Sequence, residues 1–172
     1  MNAAGVICGQ LARARDTLDF ATAELDAAEW HQRGDGATIQ SIAAIYGHAA
    51  LAQDYLVNGV ARQQPLLYVR DNWEARTRVP LIPRNLSEDW SEAMPAGDMA
   101  AFREFHAAIA AEVDAYIGPL SDDDLDRTVT FGALGEMPLG TFLGNVVAQH
   151  ISHHAGEVAA LSGMLGHKGL RY

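Results

Sequence analysis

His150 and His154 stand four residues apart in the run Gln149-His150-Ile151-Ser152-His153-His154-Ala155-Gly156-Glu157. Four residues advance a helix by about 400°, which puts both imidazoles on one face, about 6 Å apart along the axis. With this spacing one helix offers two nitrogen ligands to one metal ion. Catalytic metal sites commonly take three protein ligands and keep a position open. A third donor would have to come from elsewhere in the chain.

The chain has seven histidines, His31, His48, His106, His150, His153, His154 and His167, from which that donor could come. His48 has the apolar helical neighbours Ala44, Ile45, Leu51 and Ala52. Burying an imidazole without a partner is costly, so a histidine there is either coordinated or bonded to a backbone carbonyl. His106 follows Phe105 at the edge of another apolar stripe, about 60° from its centre. Periodicity leaves both open. His31 and His167 fall at helix ends, where solvent or the C-terminal dipole accounts for them. His153 is three residues from His150 and could pair with it instead of His154. At about 100° per residue, Val146, Val147, His150, His154, Glu157 and Leu161 share one arc, and His153 falls just outside it. The arc favours His150 with His154 without excluding the other pair.

Glu157 shares the histidines' face. A carboxylate there could orient a ligand imidazole from behind or move a proton for metal-bound water, as a catalytic residue would. It could equally pair with an arginine. Tyr55 lies seven residues after His48 on the same face, as a pocket wall or as core. Competing signatures are absent: there is no Gly-x-Ser-x-Gly, no phosphate-cradling glycine loop, and no His-Glu-x-x-His, so a zinc peptidase would lack its usual base.

The elements that must position these residues read as helices. Ile7, Leu11, Leu18, Ala21 and Leu25 mark one face of a first helix over Val6 to Glu29, with Arg13, Arg15, Asp16 and Glu24 on its polar side. Arg33-Gly34-Asp35-Gly36 is a break. Thr38 caps a second helix, Ile39 to Gly59, with Ile42, Ile45, Ala49, Ala52 and Leu56 inward and His48 at the edge. Val60 to Gly97, interrupted by Pro65, Pro80, Pro83 and Pro95, is a long connection. It carries a short helix near Asn72 to Arg78, and Trp73 and Trp90 anchor it. Asp98 caps a third helix, Met99 to Ile117, on the stripe Phe102, Phe105, Ile109 and Val113, and Gly118-Pro119 stops it. Ser121-Asp122-Asp123-Asp124 starts a short capped turn. An extended excursion at Thr128 to Phe131 and a turn through Pro138 follow. A fourth helix then runs from Leu139 to Leu165, with Pro138 in its first turn and Gly166 as its stop. The expectation is an all-α, four-helix bundle with a long connection between helices 2 and 3, a single domain over residues 1–172.

Composition narrows the partners. The formal net charge is −10, with 22 acidic and 12 basic residues, which argues against nucleic acid and against an anionic membrane surface. No apolar run is long enough to span a bilayer. One cysteine, Cys8, rules out an internal disulfide and fits a reducing compartment. With no signal-peptide pattern at the N-terminus, the cytoplasm is the expected location.

Four stretches together resemble the DinB/YfiT-like superfamily of metal-dependent proteins. They are Ile45-Tyr46-Gly47-His48, Met137-Pro138-Leu139-Gly140-Thr141, His150 through Val158, and Gly163-Met164-Leu165-Gly166. The resemblance spans nearly the whole chain in order and spacing, and the block from His150 to Glu157 carries it best. It implies a four-helix bundle that holds a divalent metal ion, nickel, zinc or similar, on His48, His150 and His154. It selects His48 over His106. It further implies a homodimer and a small-molecule substrate. The activity implied is a thiol-dependent S-transfer or related detoxification or stress-response reaction, with a low-molecular-weight thiol as co-substrate. A metal-dependent hydrolase and a non-enzymatic stress-response protein are the alternatives. The chain departs from a frequent family pattern, His-Arg-Gly-Gln, with His154-Ala155-Gly156-Glu157, which puts a charge beside the site.

Overall fold

The structure, a computed structural model, describes residues 2–33, 37–81, 94 and 97–171. It is mostly helical, with one small two-stranded sheet. Helix α1 spans Ala3–Thr22, and the Asn2 side chain caps it by accepting from the Gly5 amide at 2.9 Å. Ile7, Leu11, Ala14, Leu18 and Ala21 form its buried stripe. The helix ends seven residues earlier than Glu29, the end its periodicity predicts. Asp26 Oδ1 accepts from the amides of Ala28 and Glu29 and starts a separate 3₁₀ turn, Glu29–His31, which buries Trp30. Leu25 still packs against the core, which is why the pattern runs past the break.

Arg15 is also a correction, for it is buried rather than on the polar side. It lies four residues after Leu11 and three before Leu18, within the stripe itself. Its Nε donates to Gln53 Oε1 at 2.8 Å and its Nη1 to Asp114 Oδ1 at 2.7 Å. Three helices are thereby tied together through one guanidinium.

Helix α2 is Ile42–Asp54, continued by a π-helical segment, Tyr55–Ala61. Its cap is Ser41, whose hydroxyl accepts from the Ala44 amide, and not Thr38. Both are cap-forming residues, but the unbroken buried run begins only at Ser41. Within the preceding break, residues 34–36 lie outside those described. Short helices α3, Leu67–Arg70, and α4, Trp73–Thr77, follow. The second fills the place predicted for a short helix, between Asn72 and Arg78, both left-handed at φ 53° and 60°. Trp73 is buried as expected, whereas Trp90 lies outside the described residues.

Helix α5, Met99–Ile117, has the predicted bounds. Asp98 accepts from the Ala101 amide at 3.1 Å, and Phe102, Phe105, Ile109 and Val113 are fully buried. Helix α6, Asp122–Asp126, opens with a capping box between Ser121 and Asp124. Strands β1, Thr128–Thr130, and β2, Glu136–Pro138, pair antiparallel with Val129 opposite Met137. Pro138 therefore ends a strand and stands just ahead of the last helix rather than in its first turn. That helix is continuous in three parts: α7, Leu139–Thr141; a π-helical segment, Phe142–Ala148; and α8, Gln149–Met164. Gly166, at φ 95°, turns the chain out of it.

Helix α8 packs against α1 and α2, and α5 packs against α2 and α1. The buried apolar side chains form one cluster between them. None of the described helices is long and apolar enough to cross a membrane.

Candidate metal centre

Helices α2 and α8 bring His48, His150 and His154 together, with one donor nitrogen from each lying within 4.8 Å of the others. His48 Nε2 stands 3.1 Å from His150 Nε2. The three rings meet edge to face, with centroids 4.5–5.1 Å apart. His48 reaches this cluster because it occupies the half-buried edge of an otherwise almost wholly buried helix. His150 and His154 reach it as helical neighbours one turn apart.

Burial, with His154 and His150 crowding it, lowers the His48 pKa to about 3. Burial, followed by His154 and His153, lowers His150 to about 4, against a smaller opposing pull from Glu157. Both imidazoles are therefore neutral near pH 7, the form in which histidine binds metal. A pH dependence follows. An unfolded histidine takes up its proton near pH 6.5, whereas these two resist it until about pH 4 and 3. Their contribution is fully present above about pH 6.5 and is lost as the pH falls toward their folded values. Thermal melts of the metal-free protein should drop in midpoint from pH 7 to pH 5. The drop should be shallower in His48→Ala/His150→Ala; an equal slope would contradict this origin.

His154 is held from behind. Its Nδ1 lies 2.6 Å from Glu157 Oε2. A carboxylate only accepts, so Nδ1 carries the proton and Nε2 keeps its lone pair free for a ligand role. This is the second-sphere arrangement typical of metal-binding histidines.

The residues present fit a divalent ion. Two nitrogens bound at about 2.0–2.1 Å to one ion lie roughly 3.0–3.4 Å apart, which the His48–His150 pair at 3.1 Å already satisfies. The widest donor separation permitted within the set, 4.8 Å, would have to close by roughly 1–2 Å, within reach of side-chain rotation.

The remaining histidines are placed elsewhere. His153 is exposed, as the arc analysis favours. His106 is buried on the opposite side of α2, with Nδ1 3.0 Å from the Tyr46 hydroxyl and 3.6 Å from Asp19. His167 pairs with Glu29 at 3.0 Å and Glu24 at 3.8 Å, a tie across the chain that its position at a helix end did not signal. His31 belongs to the 3₁₀ turn. Sequence reading also missed the Asp19–Tyr46–His106 contact. The one available signal was that Tyr46 falls about 200° around the helix from His48 and so had to face another neighbour.

A family model described as the DinB superfamily matches residues 10–158, a span that contains all three histidines and Glu157. A solved structure of a conserved protein from Enterococcus faecalis shares the fold with a TM-score of 0.80 at 16% identity. The match covers 96% of this chain and 99% of that one. No curated protein matches the chain.

Proposed function

This chain belongs to the DinB superfamily, and on that premise we propose that it is a metal-dependent enzyme built on a four-helix bundle, with His48, His150 and His154 as ligands and a small-molecule substrate. The observation that carries the reading is the three-histidine cluster; catalytic sites with three protein ligands commonly keep a further position for an exogenous group. A divalent ion bound there would supply Lewis acidity, lowering the pKa of a thiol or water brought to it.

The reaction class we favour is S-transfer with a low-molecular-weight thiol. Cys8 and Ser152 are poorly suited to replace that thiol. Burial, then the Asp114 charge, raise the pKa of the Cys8 thiol above its ordinary value. Ser152 Oγ donates to the Ala148 carbonyl at 2.8 Å, which spends its proton on its own helix. Neutral His48 and His150 hold the site without adding charge. Glu157 fixes His154 and is itself part-exposed.

That exposure favours one second reading, a metal-dependent hydrolase in which Glu157 takes the proton from water. Glu157→Gln separates the two. It keeps a hydrogen-bond acceptor for His154 but loses the charge, so metal affinity should fall about 10–100-fold in either case. With metal restored to saturation, thiol transfer should persist and any hydrolysis should be lost. Loss of both would make Glu157 essential to a shared step and would count against S-transfer as stated. Calorimetry with 2-mercaptoethanol tests the thiol requirement: binding is expected to zinc-loaded protein and not to metal-free protein. Equal binding to both forms would remove the metal from the thiol site.

A further inference from the structure

Past the end of α8 the chain doubles back on itself. Gly166, at φ 95°, makes the turn, and the His167 amide donates to the Ser162 carbonyl at 3.1 Å. Gly169 then lies so close to α8 that a Cβ there would stand 2.0 Å from the Ala159 carbonyl oxygen, an approach only glycine allows. The Arg171 guanidinium is 4.6 Å from the centre of the Phe20 ring and 3.5 Å from Asp16 Oδ1, both on α1. Residues 166–171 therefore form a strap that lies on α8 and reaches α1.

His167 ties this strap to the turn after α1. Its Nε2 is 3.0 Å from Glu29 Oε1, and its Nδ1 is 3.8 Å from Glu24 Oε2. Glu29 is held ready for it, because its other oxygen accepts from the Asp26 amide at 2.9 Å. A carboxylate only accepts, so both ring nitrogens suit their partners only when both carry hydrogen. That form is the imidazolium. A neutral ring has one N–H and turns the lone pair of its other nitrogen toward a carboxylate.

The surroundings favour the charged form. The hydrogen bond to Glu29 is the largest influence and, with the charges of Glu29 and Glu24, holds the imidazole above its ordinary pKa against partial burial. Asp26 bears on Glu29, and Asp16 is the partner of Arg171. His31 shares the turn with Glu29, and Lys168, next in the chain, is exposed. From Val158 to Leu165 the helix beneath offers no charged residue.

We propose that residues 166–171 are a pH-dependent clasp, shut over α8 and α1 while the His167 imidazolium bridges Glu24 and Glu29, and released when the ring is neutral. A raised folded pKa gives a contribution that is fully present below about pH 6.5 and is lost as the pH rises through the folded value. This is the opposite sense to His48 and His150. Release frees the Ala159 carbonyl, on the helix that carries two of the three clustered histidines, and the Phe20 ring on α1.

Trypsin cleavage after Lys168 tests the clasp in the full-length, metal-free chain, so the result does not depend on the metal reading. With Gly169 seated on Ala159, the Lys168–Gly169 bond cannot enter a protease until the strap lifts, and the rate follows the open population. Each rate is divided by that of a free peptide of residues 163–171, which removes the protease's own pH dependence. Between pH 6 and pH 9 the ratio should rise at least threefold in the wild type. His167→Gln, which cannot charge, should be cleaved at both pH values at least as fast as the wild type at pH 9. Glu29→Gln should already be at least threefold faster than the wild type at pH 6. A flat wild-type ratio, the same rise retained in His167→Gln, or full protection of Glu29→Gln at pH 6 would overturn the clasp.

Discussion

Replacing His150 with alanine is expected to weaken zinc binding by more than 100-fold while the metal-free chain stays folded. His150 is the hinge of the cluster, 3.1 Å from His48 through nitrogen and one helical turn from His154. Without it, two donors remain on two different helices, and no pair within one helix survives. Altering a residue that merely supports a ligand typically costs 10–100-fold, so loss of the ligand itself should exceed that. The fold should tolerate the change because His150 is half-buried at the edge of α8, whose core contacts are made by Ile151, Ala155 and Val158. A destabilisation of about 1 kcal/mol is the usual scale for such a site. Competition against a chromophoric zinc chelator gives the affinity, and a loss below threefold would contradict the assignment. His106→Ala is the matching control: it removes a buried, hydrogen-bonded imidazole outside the cluster, so stability should fall and zinc affinity should not.

The largest effect on stability is expected at Asp54. Its carboxylate is fully buried at the end of α2, where it accepts from the Leu67 amide at 3.0 Å, the Tyr68 amide at 2.8 Å and Asn58 Nδ2 at 2.8 Å. It thus satisfies the first free amides of α3 and fastens the connection to the helix that carries His48. Asp54→Ala leaves three donors unpaired, each costing about 1–3 kcal/mol before relaxation, so a net loss of about 3–5 kcal/mol is expected in urea unfolding. Asp54→Asn should recover part of that loss, since one oxygen still accepts but the new amide nitrogen opposes an N–H group. A cost below about 1 kcal/mol for the alanine variant would mean that water or a shifted α3 replaces the carboxylate.

The sequence was most legible where a cap residue and a clean stripe coincide. Asp98 followed by Phe102, Phe105, Ile109 and Val113 defined α5 to the residue. It was least legible where burial wraps around a helix. In α2 nearly every position is inside, so periodicity carried little information, and the start slipped from Ser41 to Thr38. The same uniformity hid the π segments, because an extra residue in an apolar run does not disturb a pattern that has no polar face. Arg15 misled for the opposite reason: its charge argued for solvent while its spacing from Leu11 and Leu18 placed it inside, paired with Asp114. At the histidines, the arc of the helix favoured His150 with His154 over His150 with His153 without excluding the second pair. His48 needed the resemblance, since nothing in the sequence pairs two helices whose donors are 102 residues apart.

We propose that one divalent ion sits on His48, His150 and His154. The most direct test is metal analysis of protein purified without a histidine tag, then loaded with zinc or nickel and freed of excess. One ion per chain is expected in the wild type, with none retained in His150→Ala. A wild type that holds no stoichiometric divalent metal under any loading condition would contradict it.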